Sequence, residues 1–238
     1  MNPVITKKTT FIHLGLVDYQ QATDYQASLL AKIVAIKKEN RERDASNQLP
    51  TENFLIFCEH PHVFTIGKSG DEENLKINKD ELHTLDATYH HTNRGGDITY
   101  HGPGQIVGYP IIDLENFFTD IHKYMRLLEE SVIQTLAVFG IQAGRIPGLT
   151  GVWLDQNNNT RARKICALGV KTSRWVTMHG FAFNVNTNQN YFDYIIPCGI
   201  ADKAVTSLEK ELGQRQDIKK IEAVLKQKIA EVFEMELV

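Results

Sequence analysis

The chain has 238 residues, of which 42% are hydrophobic and 23% charged, and its formal net charge is −3. This composition is typical of an ordinary globular protein, and the length suits a single domain spanning residues 1–238. The small negative charge gives no sign of binding to nucleic acid or to an anionic membrane surface, and no apolar run is long enough to cross a bilayer.

Helix and strand patterns alternate irregularly along the chain. Helices are predicted at 18–43, at 121–139 with Gly140 as the stop, and at 218–233. Thr206 and Glu209 match a T-x-x-E capping box, which predicts a short helix opened by Thr206. Strands are predicted at 53–57, 63–66, 87–93, 106–112, 151–154, 164–170 and 175–185. This order favours an α+β or mixed α/β fold, with a mixed sheet flanked by helices.

Two of the predicted helices have a clear apolar face. In the first, the face runs through Tyr25, Leu29, Ile33 and Ile36. In the second, the face runs through Ile121, Met125, Leu128, Val132 and Leu136. We expect both faces to pack on the sheet.

The segment 94–105, with the sequence RGGDITYHGPGQ, is the first candidate site. Its glycines permit positive φ and a close approach of backbone to a ligand, and its proline stiffens the loop. It lacks the Gly-Lys-Ser/Thr ending of a phosphate-binding loop and does not match G-x-G-x-x-G. We therefore interpret it as a ligand-binding loop of another kind. Arg94 either orders this loop, through Asp97 or a backbone carbonyl, or faces an acidic carrier protein.

Cys198 lies in the turn I-P-C-G-I and is the candidate nucleophile. Free cysteines are more often small buried hydrophobic residues. However, a turn with glycine after the thiol can direct the sulfur and backbone N–H groups toward one point, where an oxyanion could form. The three cysteines are an odd count, and with no apolar leader they predict reduced thiols and a cytoplasmic location.

Lys164 is the candidate activator of that thiol, because a nearby cation favours thiolate. The alternative is a solvated basic edge, since Arg161 and Arg163 lie beside it. Lys164 opens a predicted strand, from which it can point into a pocket. Cys166 lies two residues further and is predicted to share its face of the strand.

His101 and His179 each precede a glycine and could line the same pocket, although each could equally be a hydrogen-bonded structural histidine. The sequence CEHPH at 58–62 has no second ligand pair and does not have the spacing of a zinc site, so no metal is predicted.

Together these motifs resemble the lipoyl(octanoyl) transferase family, the octanoyl-[acyl carrier protein]:protein octanoyltransferases of lipoate biosynthesis. The resemblance is strongest over residues 50–210. It is carried by residues 59–61, 64–67, 94–96, 99–105, 151–153, 164–165, 168–169, 179–182 and 197–200.

The resemblance implies a biotin/lipoate protein ligase-like catalytic domain that forms an acyl thioester on Cys198, with Lys164 lowering the pKa of the thiol. Octanoyl-acyl carrier protein would be the donor. Lipoyl domains of 2-oxoacid dehydrogenases and the glycine cleavage H protein would be the acceptors, without nucleic acid, membrane or cofactor. The implied substrate-binding residues are Arg94, Gly95, Gly96, Asp97, Ile98, Thr99, Tyr100, His101, Ala167, Leu168, Gly169, His179, Gly180 and Phe181.

Two alternatives remain open at this stage. An ATP-dependent lipoate or biotin ligase could share the fold, but it would need a nucleotide site, for which no motif is present. A non-catalytic protein that binds lipoyl domains or acyl carrier protein would form no covalent acyl adduct.

Overall fold

The computed structural model describes residues 5–158, 160–196 and 204–238. These residues form twelve β-strands and four α-helices. The helices are α1 (Tyr19–Asn40), α2 (Ile121–Val138), α3 (Leu208–Leu212) and α4 (Ile218–Phe233). The strands are β1 (Lys8–Leu16), β2 (Phe54–Glu59), β3 (Val63–Ile66), β4 (Thr88–His91), β5 (Ile98–His101), β6 (Gln105–Ile111), β7 (Gly144–Ile146), β8 (Leu149–Leu154), β9 (Arg163–Ser173), β10 (Val176–Asn184), β11 (Ala204–Val205) and β12 (Glu236–Leu237).

Nine strands form one mixed sheet in the order β12-β1-β2-β6-β10-β9-β8-β7, and β11 pairs with the start of β9. The strands from β2 to β7 along this order are antiparallel to their neighbours, whereas β1 is parallel to β2. A second sheet, in the order β4-β3-β5, packs beside it around its own apolar cluster. The predicted mixed sheet flanked by helices is confirmed.

Helices cover both faces of the large sheet. On one face, α2 and α4 bury Leu128, Val132 and Leu225 in the largest apolar cluster. On the other face, α1 buries Ala22 and Ile33 against strands of the same sheet. Burial of each large aliphatic side chain stabilises the fold by about 1.5–3 kcal/mol, so these helices fix the sheet between them. Within the described ranges, no helix is both long and apolar enough to cross a membrane.

The apolar face of α1 differs from the predicted one. Tyr25 is 37% exposed, and the buried positions include Gln26 instead. A buried glutamine is tolerated because its Oε1 accepts a hydrogen bond from the His179 N–H at 2.9 Å. The packing of α1 therefore depends on a polar contact that helical periodicity does not indicate.

The start of α3 also differs from the prediction. The N-cap is Ser207, whose hydroxyl accepts the Lys210 N–H, so the predicted role of Thr206 is wrong by one residue. Thr206 is fully buried, and its hydroxyl bonds to the Glu211 carboxylate. Because the Thr206 hydroxyl is bonded to Glu211, the neighbouring Ser207 caps the helix.

Candidate active site

A cavity of about 490 Å³ lies against strands β6, β10, β9 and β8, under the segment 94–99. It brings together residues that are distant in the chain, from Tyr19 to Val205. All of the predicted substrate-binding residues except Tyr100 line it, and so does Lys164. The lining residues from the prediction are Arg94, Gly95, Gly96, Asp97, Ile98, Thr99, His101, Lys164, Ala167, Leu168, Gly169, His179, Gly180 and Phe181.

Two predicted residues stand apart from this group. Tyr100 is fully buried in the small-sheet cluster, where its ring stacks on Tyr191 with centroids 4.8 Å apart and its hydroxyl lies 2.7 Å from His62 Nδ1. Its position follows from β5, because alternate side chains of a strand point to opposite faces. Cys198 lies outside the described residues.

The segment 94–105 is not a continuous loop, because residues 98–101 form β5 and pair with β3. Before that strand, Arg94 donates to the Thr65 carbonyl at 2.7 Å and to the Thr65 hydroxyl at 3.0 Å. Of the two roles left open for Arg94, the structure places it in loop ordering through a backbone carbonyl. The Gly95 N–H donates to the Val170 carbonyl at 2.9 Å, which ties the loop to β9.

Gly169 makes this close approach possible. A Cβ at this position would lie 2.8 Å from the Gly95 carbonyl oxygen and 3.1 Å from Arg94 Cδ. A backbone atom cannot move aside as a flexible side chain can, so any larger residue would push the loop off β9. Gly169 therefore fixes the height of the cavity at this point.

Asp97 connects the same loop to the chain that precedes Cys198. Its carboxylate accepts the Asp71 N–H at 3.1 Å and the Asn74 side-chain amide at 2.7 Å. The Asn74 carbonyl in turn accepts the Ile196 N–H at 2.8 Å. Asn74 thus joins the cavity loop to a backbone position two residues before Cys198.

We expect Asp97→Ala to lower kcat about tenfold for the acyl transfer that the resemblance implies, because the 71–74 turn loses two of its hydrogen bonds. The apolar cores do not involve Asp97, so the melting temperature should change by only a few degrees. Glu73→Ala, at an exposed position in the same turn, is the control. Equal kcat values for Asp97→Ala and the control would exclude this positioning role.

His101 begins a buried chain of hydrogen bonds. Its Nδ1 lies 2.8 Å from Gln105 Oε1, and Gln105 Nε2 donates to Asn184 Oδ1 at 2.8 Å. Asn184 Nδ2 then donates to the Thr206 carbonyl at 3.0 Å. Because Gln105 uses its amide nitrogen elsewhere, His101 Nδ1 carries the proton.

His179 has an unusual backbone for a strand residue, with φ at +60°. The conformation is held by the hydrogen bond from its N–H to Gln26 and by one between His179 Nε2 and Asn93 Oδ1 at 3.1 Å. Non-glycine residues with positive φ are uncommon and are concentrated at functional sites. Here the distortion directs the imidazole toward the cavity.

Both histidines are neutral at pH 7. Burial is the largest cause and lowers the pKa of His101 to about 3 and that of His179 to about 4, with the Arg94 charge acting in the same direction. A neutral imidazole cannot supply the positive charge that stabilises a thiolate. Of the cavity groups considered as activators, Lys164 is therefore the better candidate.

The lowered pKa values predict a pH dependence of stability. The unfolded chain binds protons at these histidines from about pH 6.5 downward, whereas the folded chain does not until about pH 4 and 3. The free energy of unfolding should therefore fall as the pH falls from 6.5 to 4. In His101→Gln, the free energy of unfolding should fall less steeply over this range, by up to about 1.4 kcal/mol per pH unit. Urea titrations at several pH values measure this slope. A pH slope in His101→Gln equal to that of the wild type would contradict this prediction.

Lys164 lies beside the aromatic ring of Trp153, with Nζ 4.7 Å from a ring centroid. Its aliphatic stem passes close to Gly151, where a Cβ would lie 3.2 Å from Lys164 Cε. The Gly151 N–H is held by the fully buried carboxylate of Glu129 at 3.0 Å. Glu129 and Trp153 thus shape the surroundings of Lys164. Neither was predicted as a site residue, although Trp153 lies in one of the segments that carry the resemblance.

The predicted shared face of Lys164 and Cys166 is wrong. Trp153 pairs with Lys164 and Val152 with Cys166, so Ile165 is an extra residue that makes a β-bulge. The bulge breaks the alternation of side chains. Lys164 lines the cavity, whereas Cys166 is fully buried in the large apolar cluster on the other face.

Cys166 is accordingly a packing residue, and burial raises the pKa of its thiol. We expect Cys166→Ala to leave transfer and sensitivity to oxidants unchanged. It should lower the free energy of unfolding by about 1 kcal/mol, because a small buried side chain is truncated. Urea unfolding measures the second effect, and loss of activity in a folded Cys166→Ala protein would show that the assignment is wrong.

The residues at the closed end of the cavity were not predicted from the sequence. Tyr19, Val107 and Tyr109 line it and are buried. Tyr19 is the first residue of α1, and its ring stacks on that of His101 with centroids 5.9 Å apart. No motif marks these positions, although Val107 and Tyr109 alternate along β6 and therefore share a face.

Comparison with known proteins places this chain in a family. The family model for the lipoyl protein ligase A/B catalytic domain matches residues 18–230. The chain is 55% identical over 233 residues to an octanoyltransferase of Cytophaga hutchinsonii, covering 98% of this chain and 96% of that protein. It is 55% identical over 234 residues to an octanoyltransferase of Christiangramia forsetii, covering 98% and 99%.

The fold has solved counterparts. One is the bipartite lipoate protein ligase of Thermoplasma acidophilum, with a TM-score of 0.68 and 16% identity, over 97% of this chain and 86% of that one. This likeness confirms the predicted lipoate ligase-like fold. The family model matches most of the chain, and relatives more than half identical match nearly its full length. The protein therefore belongs to the lipoyl protein ligase A/B catalytic domain family.

Proposed function

We propose that this protein transfers an octanoyl group from octanoyl-acyl carrier protein to a lysine of lipoyl domains. The observation that carries the proposal is the cavity, whose wall contains several small residues and Lys164. A cavity of this kind suits an unbranched acyl chain whose reactive end lies near a cation. The similarity to octanoyltransferases over almost the whole chain supports the same reaction.

The proposed reaction has two steps through Cys198. In the first, the thiolate attacks the thioester carbonyl of the donor, a new C–S bond forms and the C–S bond to the carrier breaks. The carrier sulfur leaves as a thiolate and takes up the proton that Cys198 released. In the second, the neutral ε-amine of the acceptor lysine attacks the acyl-enzyme, an amide forms, and the thiol of Cys198 is regenerated. Because an amide is more stable than the thioester consumed, the reaction needs no nucleotide.

Lys164 is proposed to act in both steps. Its ammonium would favour the thiolate of Cys198 before the first step. In the second step, it would relay the proton released by the acceptor amine. The position of Lys164 in the cavity wall, beside Trp153, supports this role. The acceptor would be a lipoyl domain of a 2-oxoacid dehydrogenase or the glycine cleavage H protein.

A direct comparison of donors tests this function. The purified protein and an unmodified lipoyl domain are mixed with octanoyl-acyl carrier protein alone, or with free octanoate, ATP and Mg²⁺. We expect octanoylation of the lipoyl domain, measured by intact mass, only with the carrier-bound donor. Modification only in the mixture with ATP would identify a ligase instead, and no modification in either mixture would favour a non-catalytic binding protein.

A further inference from the structure

The cavity has one closed end and one open end. At the open end, the lining residues His122, Arg126, Gly148 and Thr150 are exposed. At the other end, the lining residues are buried, and Val107 is only 1% exposed. An apolar acyl tail is most stable where water is excluded, so the tail belongs at the closed end. The carrier arm and the acceptor lysine then enter from the open end.

Between these ends, one row of lining residues crosses three paired strands of the sheet. Ala167 on β9 pairs with Ala182 on β10, and Ala182 pairs with Val107 on β6. Residues paired in this way share one face. The row continues to Cys58 on β2, which is fully buried and packs behind Val107. The row therefore begins with two alanines, and Val107 is the first larger side chain met along it.

The length of this row matches the proposed substrate. Neighbouring strands lie about 4.8 Å apart, so the two steps from Ala167 to Val107 span roughly 10 Å. An extended chain advances about 1.2 Å per bond, which gives an eight-carbon acyl group a length of about 8 Å. With its carbonyl above Ala167, three residues along β9 from Lys164, the chain would end at Val107.

We infer that Val107 determines the length of the transferred acyl chain. The chain lies along Ala167 and Ala182, and the Val107 side chain stops it at eight carbons. The inference rests on the proposed acyl transfer and adds to it the residue that selects eight carbons. Tyr19 and Tyr109 close the same end from α1 and β6. Truncation of Val107 extends the cavity toward Cys58, and enlargement of Val107 or Ala182 shortens it.

Competition between acyl donors tests this inference. Hexanoyl-, octanoyl-, decanoyl- and dodecanoyl-acyl carrier proteins are supplied together at equal concentration, and the acyl groups on the lipoyl domain are counted by mass. The product ratios report ratios of kcat/KM, which do not depend on the fraction of enzyme that is folded. A variant that is partly unfolded therefore still gives a valid result.

We expect Val107→Ala to raise the decanoyl-to-octanoyl ratio about tenfold, since each additional buried methylene contributes roughly fourfold. Val107→Phe should lower the octanoyl-to-hexanoyl ratio by a similar factor. Ala182→Val blocks the row nearer to Ala167 and should disfavour octanoyl more strongly than Val107→Phe does. If the shift in product ratio depends on the position and size of the substituted side chain, the cavity selects acyl chains by length. General damage to the cavity would not produce this dependence.

Val176→Ala is the matched control, because Val176 is a fully buried valine of the same cluster that does not line the cavity. Its product ratios should equal those of the wild type. Identical ratios for Val107→Ala, Ala182→Val and Val176→Ala would overturn the inference while leaving acyl transfer intact. Failure of the wild type to transfer any acyl group would instead refute the proposed function.

Discussion

Replacement of Cys198 with serine is expected to abolish both the covalent acylation of the protein and turnover. A serine hydroxyl is a far weaker nucleophile at neutral pH than a thiolate, and a neighbouring lysine does not ionise it. The rate should fall by at least about a thousandfold, which is the scale seen when the nucleophile of a covalent enzyme is removed. The variant should keep the melting temperature of the wild type.

Cys166→Ser and Cys58→Ser are the matched controls, because they make the same chemical change at the two buried cysteines. Both can lower stability, but folded protein should retain transfer. Near-normal transfer by folded Cys198→Ser would place the nucleophile elsewhere. Cys166 is then an unfavourable second choice, because it lies on the face opposite Lys164.

Replacement of Lys164 with alanine should reduce the rate of transfer by roughly a hundredfold, because one group is proposed to act in both steps. Thiol alkylation at neutral pH should also slow, by about tenfold, and its pH profile should move to higher pH as the thiolate loses a nearby cation. Lys164→Arg keeps the charge but has a planar group that does not release its proton. It should therefore restore alkylation more than it restores transfer.

Lys171→Ala is the control for this experiment, since Lys171 lies on the same strand but does not line the cavity. Its alkylation profile should match that of the wild type. A Lys164→Ala profile that overlays the wild type would show that Lys164 does not tune the thiol. His101 and His179 would then be poor substitutes as cations, because burial holds the pKa of each well below 7.

The local chemistry of the site was predictable because it is encoded in short stretches of sequence. The glycines after Arg94 indicate a close backbone approach, and the structure shows that the Gly95 backbone lies against Gly169 and Val170 of β9. Lys164 was predictable as a strand residue facing a pocket. These features depend on a few neighbouring residues, so a motif can carry them.

The remaining features depend on tertiary pairing and leave no local pattern. The bulge at Ile165 places Lys164 and Cys166 on opposite faces, and simple alternation gives the wrong answer. The row from Ala167 to Val107 exists only when the hairpin of β9 and β10 pairs in register with the distant strand β6. Gln26 interrupts the apolar face of α1 because its partner is the backbone of His179.

The most direct test of the account is the mass of the intact protein after brief mixing with octanoyl-acyl carrier protein in the absence of an acceptor. The account predicts a gain equal to one octanoyl group in place of one hydrogen, located on Cys198 by peptide mapping and removed when a lipoyl domain is added. An unmodified protein that nevertheless octanoylates the lipoyl domain would contradict it, because transfer would then be direct. Modification of any residue other than Cys198 would also contradict it.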